Sequence, residues 1–120
     1  MKLIIAGSRD LSEEMIYAEL VQLRISDHPM SLADEIVSGC ARGADTAGEM
    51  YADFYGVPVK KFPADWDTHG KAAGPIRNKQ MAQYADAALI FMKRGGTPGS
   101  KNMKDHMHRM KKKVWVYEVD

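Results

Sequence analysis

Short, uninterrupted apolar segments alternate along this chain with segments of helical periodicity, and this alternation limits the possible folds more than any other feature. Leu3–Ala6 and Ala87–Met92 are continuous apolar runs, which are typical of strands buried on both faces of a parallel sheet. Further strands are predicted at 35–37, 57–62 and 114–117, and helices at about 12–23, 46–55, 75–84 and 100–110. The helix at 46–55 has one apolar side, formed by Ala47, Met50, Tyr51 and Phe54. Strands joined by helices predict a three-layer α/β fold, with a mostly parallel five-stranded sheet and helices on both faces.

The composition indicates one cytoplasmic domain over residues 1–120. The formal charge is +1, so no overall field attracts nucleic acid or an anionic membrane surface. Cys40 is the single cysteine, which excludes an internal disulfide and suits a reducing compartment. The apolar run near Met1 is too short for a signal peptide or a membrane span.

Polar and glycine-rich segments follow the predicted strands. Ligands of open α/β sheets bind beyond the carboxyl ends of the strands, near the point where the strand order reverses. Loops that follow strands meet at that edge, and here they are Gly7-Ser8-Arg9, 39–46, 63–74 and 93–100. The sequence therefore predicts a ligand site at this edge of the sheet.

The segment Gly39–Thr46 is the first candidate for binding a ligand. Two glycines, Gly39 and Gly43, expose backbone N–H groups, Arg42 adds a cation, and Asp45 and Thr46 stand where the next helix begins. A helix N-terminus attracts an anion, but tight turns also use glycine for steric reasons alone. The segment matches neither GxGxxG nor GxxxxGK[ST], which disfavours ordinary dinucleotide or triphosphate chemistry.

Arg77 and Asn78 are unusual residues for their positions in the predicted helix at 75–84. Arg77 falls in the first turn, where the helix dipole disfavours a cation, and Asn78 falls on the stripe that should face the sheet. An anionic ligand at this helix end explains both. A salt bridge from Arg77 to Asp65, Asp67 or Asp86 is the alternative.

Two other loops carry candidate residues. In the predicted loop 63–74, Trp66 could stack on a base or cap the core, and Lys71 adds a cation. The turn at 95–99 contains Gly96 and Thr97, and Ser100 is expected to cap the last helix. His106 and His108 are two residues apart and face different sides of that helix, so no metal site is predicted.

Several motifs, in the order "AGSRD", "VSGCARGAD", "PADWDTHGKAAGPIRNKQMA", "ADAALI" and "GGTPGS", resemble the SLOG superfamily, a Rossmann-like group. The match is to its small YspA/YpsA-like branch, and it covers nearly the whole chain. The resemblance implies a nucleotide or a nucleotide-derived ligand, such as an ADP-ribose-like molecule. It assigns the matching motif positions to this ligand: Gly7, Ser8, Arg9, Gly39, Arg42, Gly43, Asp45, Arg77, Asn78, Gly96 and Thr97.

The same resemblance leaves catalysis open. LOG enzymes of the superfamily, which cleave the N-glycosidic bond of nucleoside monophosphates, carry "PGGxGTxxE". This chain has Asn102 or Met103 where that glutamate should stand, although Asp45 or Asp65 could supply another carboxylate. Our leading hypothesis is a module that binds, senses or sequesters a nucleotide and forms a homo-oligomer, as SLOG relatives commonly do. A LOG-like phosphoribohydrolase and a DprA-like single-stranded nucleic-acid module are the alternatives.

Overall fold

The computed structural model describes residues 1–119, and it contains one five-stranded sheet in the order β3-β2-β1-β4-β5 with all neighbours parallel. The strands are β1 (Lys2–Gly7), β2 (Glu35–Ser38), β3 (Val59–Lys61), β4 (Ala87–Lys93) and β5 (Lys113–Val119). The helices are α1 (Glu13–Ile25), α2 (Ala44–Tyr55), α3 (Trp66–His69), α4 (Ala73–Tyr84) and α5 (Pro98–Arg109). The predicted α/β fold class is confirmed.

The strand order reverses beside the central strand. The chain runs outward from β1 through β2 to β3 and then returns to place β4 on the other side of β1. Gly7 at the end of β1 is paired with Phe91 of β4. The reversal therefore lies between the carboxyl ends of β1 and β4, which is where ligands bind in folds of this type.

Alternate residues of the central strands face opposite helical layers. Leu3 and Ile5 of β1 belong to the core under α1 and α2, and Ile4 belongs to the core under α4 and α5. All three side chains are fully buried. Because the sheet is covered on both faces, its strands lack the polar alternation of a half-exposed sheet.

The inner face of α2 differs from the prediction. Ala47 and Tyr51 are buried, but Met50 is 42% exposed and Phe54 is 71% exposed. The reason is close packing on β1, since a Cβ at Gly48 would lie only 2.9 Å from the Cβ of Ile5. Apart from Tyr51, the buried apolar face of α2 therefore consists of small residues, Ala44, Ala47, Gly48 and Ala52, which a search for large apolar residues misses.

The predicted loop 63–74 contains regular structure. Trp66–His69 form α3, a 3₁₀ turn follows at Gly70–Ala72, and α4 begins at Ala73 rather than at Pro75. The carboxylate of Asp65 accepts a hydrogen bond from the N–H of Thr68 at 3.2 Å and so caps α3.

Other helix boundaries also differ from those predicted. Thr97, and not Ser100, caps α5, since its Oγ1 accepts from the N–H of Ser100 at 3.3 Å. Helix α2 begins at Ala44, two residues before Thr46. A 3₁₀ turn at Pro29–Leu32 lies between α1 and β2. Among residues 1–119, no helix has the length and apolar character that crossing a membrane requires.

Candidate functional site

Three adjoining cavities lie along the carboxyl edge of the sheet. The first, which we call the arginine cavity, has a volume of about 270 Å³ and is lined by Arg9, Gly39, Cys40, Ala41, Arg42, Pro63, Ala64, Trp66 and Arg77. The inner cavity, of about 60 Å³, is lined by Ala6, Gly7, Arg9, Ala41, Asp45, Arg77, Asn78, Met81, Gly99, Ser100 and Met103. The outer cavity, of about 350 Å³, is lined by Gly7, Ser8, Arg9, Asp10, Thr97 and Gly99. Arg9 lines all three, so one ligand could extend from one cavity to the next.

The arginine cavity brings together three cations from separate parts of the chain. Arg9 follows β1, Arg42 follows β2, and Arg77 lies in α4. Because α4 begins at Ala73, Arg77 lies in the second turn of the helix and not in the first turn as predicted. Arg9 and Arg42 are exposed, whereas Arg77 is only 9% exposed. The cavity therefore combines two exposed guanidinium groups with one buried group.

Arg77 is fixed by hydrogen bonds at both ends of its guanidinium. Nη1 donates to the carbonyl oxygen of Gly39, and Nε donates to Oδ1 of Asn78 at 2.9 Å. Asn78 in turn donates through Nδ2 to Oδ1 of Asn102 at 3.1 Å. Burial lowers the pKa of Arg77 from its ordinary value, and the charge of Asp45 opposes that fall. Since a guanidinium has five N–H donors, Arg77 keeps donors available for a ligand.

Asp45 is a buried carboxyl group beside this arginine. It lies in the first turn of α2, is 6% exposed, and its Oδ2 accepts a hydrogen bond from the N–H of Ala41 at 3.1 Å. Removal from water raises the pKa of Asp45 to about 6, and the N–H of Ala41 and the charge of Arg77 oppose that rise only in part. Asp45 therefore changes its charge near pH 6, well above the range of an ordinary aspartate.

Gly39 allows Asp45 and Arg77 to approach the same stretch of backbone. A Cβ at this position would lie 2.6 Å from Nη1 of Arg77 and 2.8 Å from Oδ2 of Asp45. Gly43 is needed for a different reason, because its φ is +79° and a Cβ would lie 2.8 Å from the carbonyl oxygen of Ser8. Close packing is therefore sufficient to explain why glycine stands at both positions of this turn. The glycines by themselves are no evidence that the turn binds an anion.

Trp66 forms the outer wall of the arginine cavity. Its side chain is 49% exposed, so it does not cap the core. The guanidinium carbon of Arg9 lies over the indole, 5.6 Å from the ring centroid. This distance is typical of a cation–π contact.

Comparison with known proteins identifies the family of this chain. A sequence profile of the YspA, cpYpsA-related SLOG family matches residues 1–69. The chain belongs to this family. A relative, the Gene 61 protein of Mycobacterium phage D29, is 31% identical over an alignment 96 residues long, which covers 75% of this chain and 75% of the relative. The resemblance read from the sequence motifs is confirmed.

The fold of this SLOG protein is similar to that of a solved structure, DNA processing protein A (DprA) from Streptococcus pneumoniae. The TM-score is 0.73 at 21% sequence identity, over 96% of this chain. The match covers 49% of the DprA chain, so this SLOG protein spans about half of DprA. Membership of the SLOG family supports a role related to nucleotides or nucleic acids, whereas the likeness to DprA shows the fold alone.

Most of the predicted site residues of the SLOG protein lie around the three cavities. Those that line a cavity are Gly7, Ser8, Arg9, Gly39, Arg42, Asp45, Trp66, Arg77, Asn78, Thr97 and Ser100. Four predicted residues lie outside these linings. Gly43 supports the turn, Thr46 donates through Oγ1 to the carbonyl oxygen of Ala41 at 3.0 Å, and Gly96 and Lys71 lie in nearby turns.

Sequence reasoning missed some wall residues and one network partner. Pro63 and Ala64 line the arginine cavity because the chain leaves β3 beside it, and their small apolar side chains gave no chemical signal. Cys40 also lines it, and burial together with Glu49 raises the pKa of its thiol. Asn102 stands near the position of the LOG glutamate, and here it binds Asn78 as a neutral amide.

Proposed function

We propose that this SLOG protein binds a nucleotide or nucleotide-derived ligand, such as an ADP-ribose-like molecule, along its three adjoining cavities. The observation that carries the proposal is the convergence of Arg9, Arg42 and Arg77 on one cavity of about 270 Å³. The described lining of this cavity has no acidic side chain, although the chain as a whole is nearly neutral at +1. The positive charge is therefore concentrated where a phosphate would sit.

The arginines suit a phosphate by geometry as well as charge. Arg77 is held by Gly39 and Asn78, so its orientation is set before a ligand arrives. A guanidinium can donate two parallel hydrogen bonds to a phosphate, and a fixed one loses little entropy in doing so. Arg9 and Arg42 are exposed and can adjust to the position of the anion.

The neighbouring cavities offer groups for the rest of a nucleotide. The inner cavity of about 60 Å³ has room for hydroxyl groups but not for a base, and Asp45 and Asn78 line it. We assign these two residues to a ribose. In the outer cavity the hydroxyl of Ser8 is buried without a hydrogen-bond partner among residues 1–119, and a phosphate oxygen near the start of α5 would supply one.

The test uses the two exposed arginines, because Arg77 also supports the structure of the turn. Arg9→Gln and Arg42→Gln should each weaken binding of ADP-ribose or AMP about tenfold, the effect of losing a charge-assisted hydrogen bond. Isothermal titration calorimetry measures the dissociation constants. Arg109→Gln, at the exposed far end of α5, is the matched control and should bind like the wild type.

Two results would count against the proposal. Wild-type protein that binds no nucleotide at millimolar concentration would remove its basis. Binding of single-stranded DNA that weakens steeply with salt, and that exceeds nucleotide binding, would favour a DprA-like nucleic-acid module instead. The net charge of +1 argues against such a module, because the chain has no overall field that would attract a polyanion.

A second candidate function rests on Asp45. Its carboxyl group lines the inner cavity beside Arg77, and its pKa of about 6 suits a group that exchanges a proton at neutral pH. A LOG-like reaction would add water across the bond between ribose and base, releasing free base and ribose 5-phosphate. If the protein is a hydrolase, it releases adenine from AMP, and Asp45→Ala abolishes the release. Chromatography detects the free base, and tight binding without turnover would leave binding as the function.

The homo-oligomer expected from the sequence stays a prediction. Strand β5 is the surface that we expect a second copy to cover, because it is a seven-residue edge strand on which Val116 is 39% exposed. The opposite edge strand, β3, has only three residues and carries Lys60 and Lys61. Short, charged edges resist pairing, whereas longer apolar edges favour it.

A further inference from the structure

We infer that Trp66 is the stacking platform for the base of the ligand, and that Arg9 occupies this platform until a ligand arrives and then moves to its anion. The inference rests on the proposed function and names the ligand class more narrowly. The ligand would carry both a planar heteroaromatic ring and an anion. Arg9 and Trp66 would recognise the two parts together.

The position of Trp66 supports a role as a platform. The indole is 49% exposed, so a ligand in the cavity can reach the ring. Its location is nevertheless defined, because Asp65 caps the short helix α3 and a Cβ at Gly74 would lie 3.4 Å from Cη2 of the indole. The ring therefore rests against the start of α4 and borders the arginine cavity.

The spacing between Arg9 and Trp66 implies exchange and not simple insertion. The guanidinium carbon lies 5.6 Å from the ring centroid. A base held between the two planes would need about 7 Å, twice the contact distance of about 3.5 Å between stacked atoms. A base can therefore stack on Trp66 only after Arg9 moves away.

Arg9 can contact an anion in the cavities after its guanidinium leaves the indole. It is exposed, and it lines the arginine, inner and outer cavities, so its guanidinium can follow an anion bound in any of them. An exposed cation–π contact is weak compared with stacking of a base on an aromatic ring or pairing of arginine with phosphate. Binding would replace the weak Arg9–Trp66 contact by two stronger ones, the base on Trp66 and the anion on Arg9. The exchange therefore favours a ligand that has both a base and an anion.

The experiment compares AMP with ribose 5-phosphate, which has the anion and the sugar but no base. By titration calorimetry, the wild type should bind AMP at least tenfold more tightly than ribose 5-phosphate. Trp66→Leu should weaken AMP binding about tenfold or more, the effect of losing a stacked base, and should leave ribose 5-phosphate binding unchanged. Trp66→Phe, which keeps an aromatic face, should recover part of the loss.

Fluorescence gives an independent readout of the same contact. The chain has two tryptophans, and Trp115→Phe leaves Trp66 as the only one. AMP should change the emission of this variant, and ribose 5-phosphate should change it much less. Trp115→Phe is also the matched control in calorimetry and should bind AMP like the wild type.

The outcomes separate this inference from the proposed function. Equal binding of AMP and ribose 5-phosphate by the wild type, with no loss in Trp66→Leu, would overturn the platform and leave nucleotide binding intact. An equal loss of both ligands in Trp66→Leu would mean that the indole only shapes the cavity, and would also overturn it. If the wild type binds neither ligand, the proposed function fails together with the inference.

Discussion

Asp45→Asn should raise the free energy of unfolding at pH 7 by about 3 kcal/mol, because ionised Asp45 is costly to bury. The pKa of this carboxyl group rises from 3.8 to about 6 in the folded protein. A difference of about two pKa units corresponds to about 3 kcal/mol between the two protonation states. Asparagine resembles the protonated form in charge and can still accept the hydrogen bond from the N–H of Ala41.

The effect should depend on pH with a definite sign. Folded protein binds the Asp45 proton more tightly than unfolded protein does, so the stability from this group is fully present below pH 3.8 and is lost as the pH rises to about 6. The difference in unfolding free energy between Asp45→Asn and the wild type should therefore grow over this range and level off above it. Urea titrations of both proteins from pH 4 to pH 8 measure the difference, in which the titration of other groups cancels.

The control is Asp53→Asn, which changes an exposed aspartate on the same helix. It should alter the unfolding free energy by no more than about 0.5 kcal/mol. A variant Asp45→Asn that is less stable than the wild type at pH 7 would contradict the prediction. It would show that attraction between Asp45 and Arg77 outweighs the cost of burial.

A stabilising substitution at Asp45 would also bear on the site. Residues kept at a cost in stability are typical of functional positions, since selection retains them for binding or catalysis. The inner cavity places this carboxyl group beside Arg77 and Asn78, where a ribose or a reacting bond is proposed to lie. If Asp45→Asn is more stable than the wild type but binds nucleotide more weakly, the stability lost by burying Asp45 is linked to ligand binding.

Much of the fold follows from local sequence patterns. The runs at Leu3–Ala6 and Ala87–Met92 form central strands. They could be recognised because a strand covered by helices on both faces has no polar side and is therefore a continuous apolar run. The segments that follow all of the strands come together because parallel strands end at the same edge of the sheet. The common location of Arg9, Arg42 and Arg77 could therefore be predicted from the order of elements alone.

The remaining features depend on contacts between distant residues. The inner face of α2 is made mostly of small residues because Gly48 lies on Ile5, a contact that no periodicity reveals. The orientation of Arg77 depends on the carbonyl oxygen of Gly39, which is 38 residues away. The first pair forms only when α2 packs on β1, and the second only when α4 packs beside the end of β2. A single sequence therefore indicates the residues but not their partners.

Gly7→Ala should lower the free energy of unfolding by about 3 kcal/mol or more, because the central strand has no space for a methyl group at this point. The added Cβ would lie 2.2 Å from the carbonyl oxygen of Phe91 and 3.0 Å from the Cβ of Ala44. Overpacking typically costs about 1–3 kcal/mol, and a backbone carbonyl can yield less than a flexible side chain. Urea denaturation followed by circular dichroism measures the loss.

Gly99→Ala is the control, since a Cβ there meets no atom within 4 Å and alanine is favoured over glycine by about 0.5–1 kcal/mol in a helix. It should be as stable as the wild type or slightly more so. If Gly7→Ala were equally stable, β1 and β4 would have to separate at their carboxyl ends without loss. The N–H of Ser8 donates to the carbonyl oxygen of Phe91 at 3.1 Å, so this separation would also move the loop that carries Arg9. The close approach at Gly7 thus fixes both the strand pairing and the position of one cavity wall.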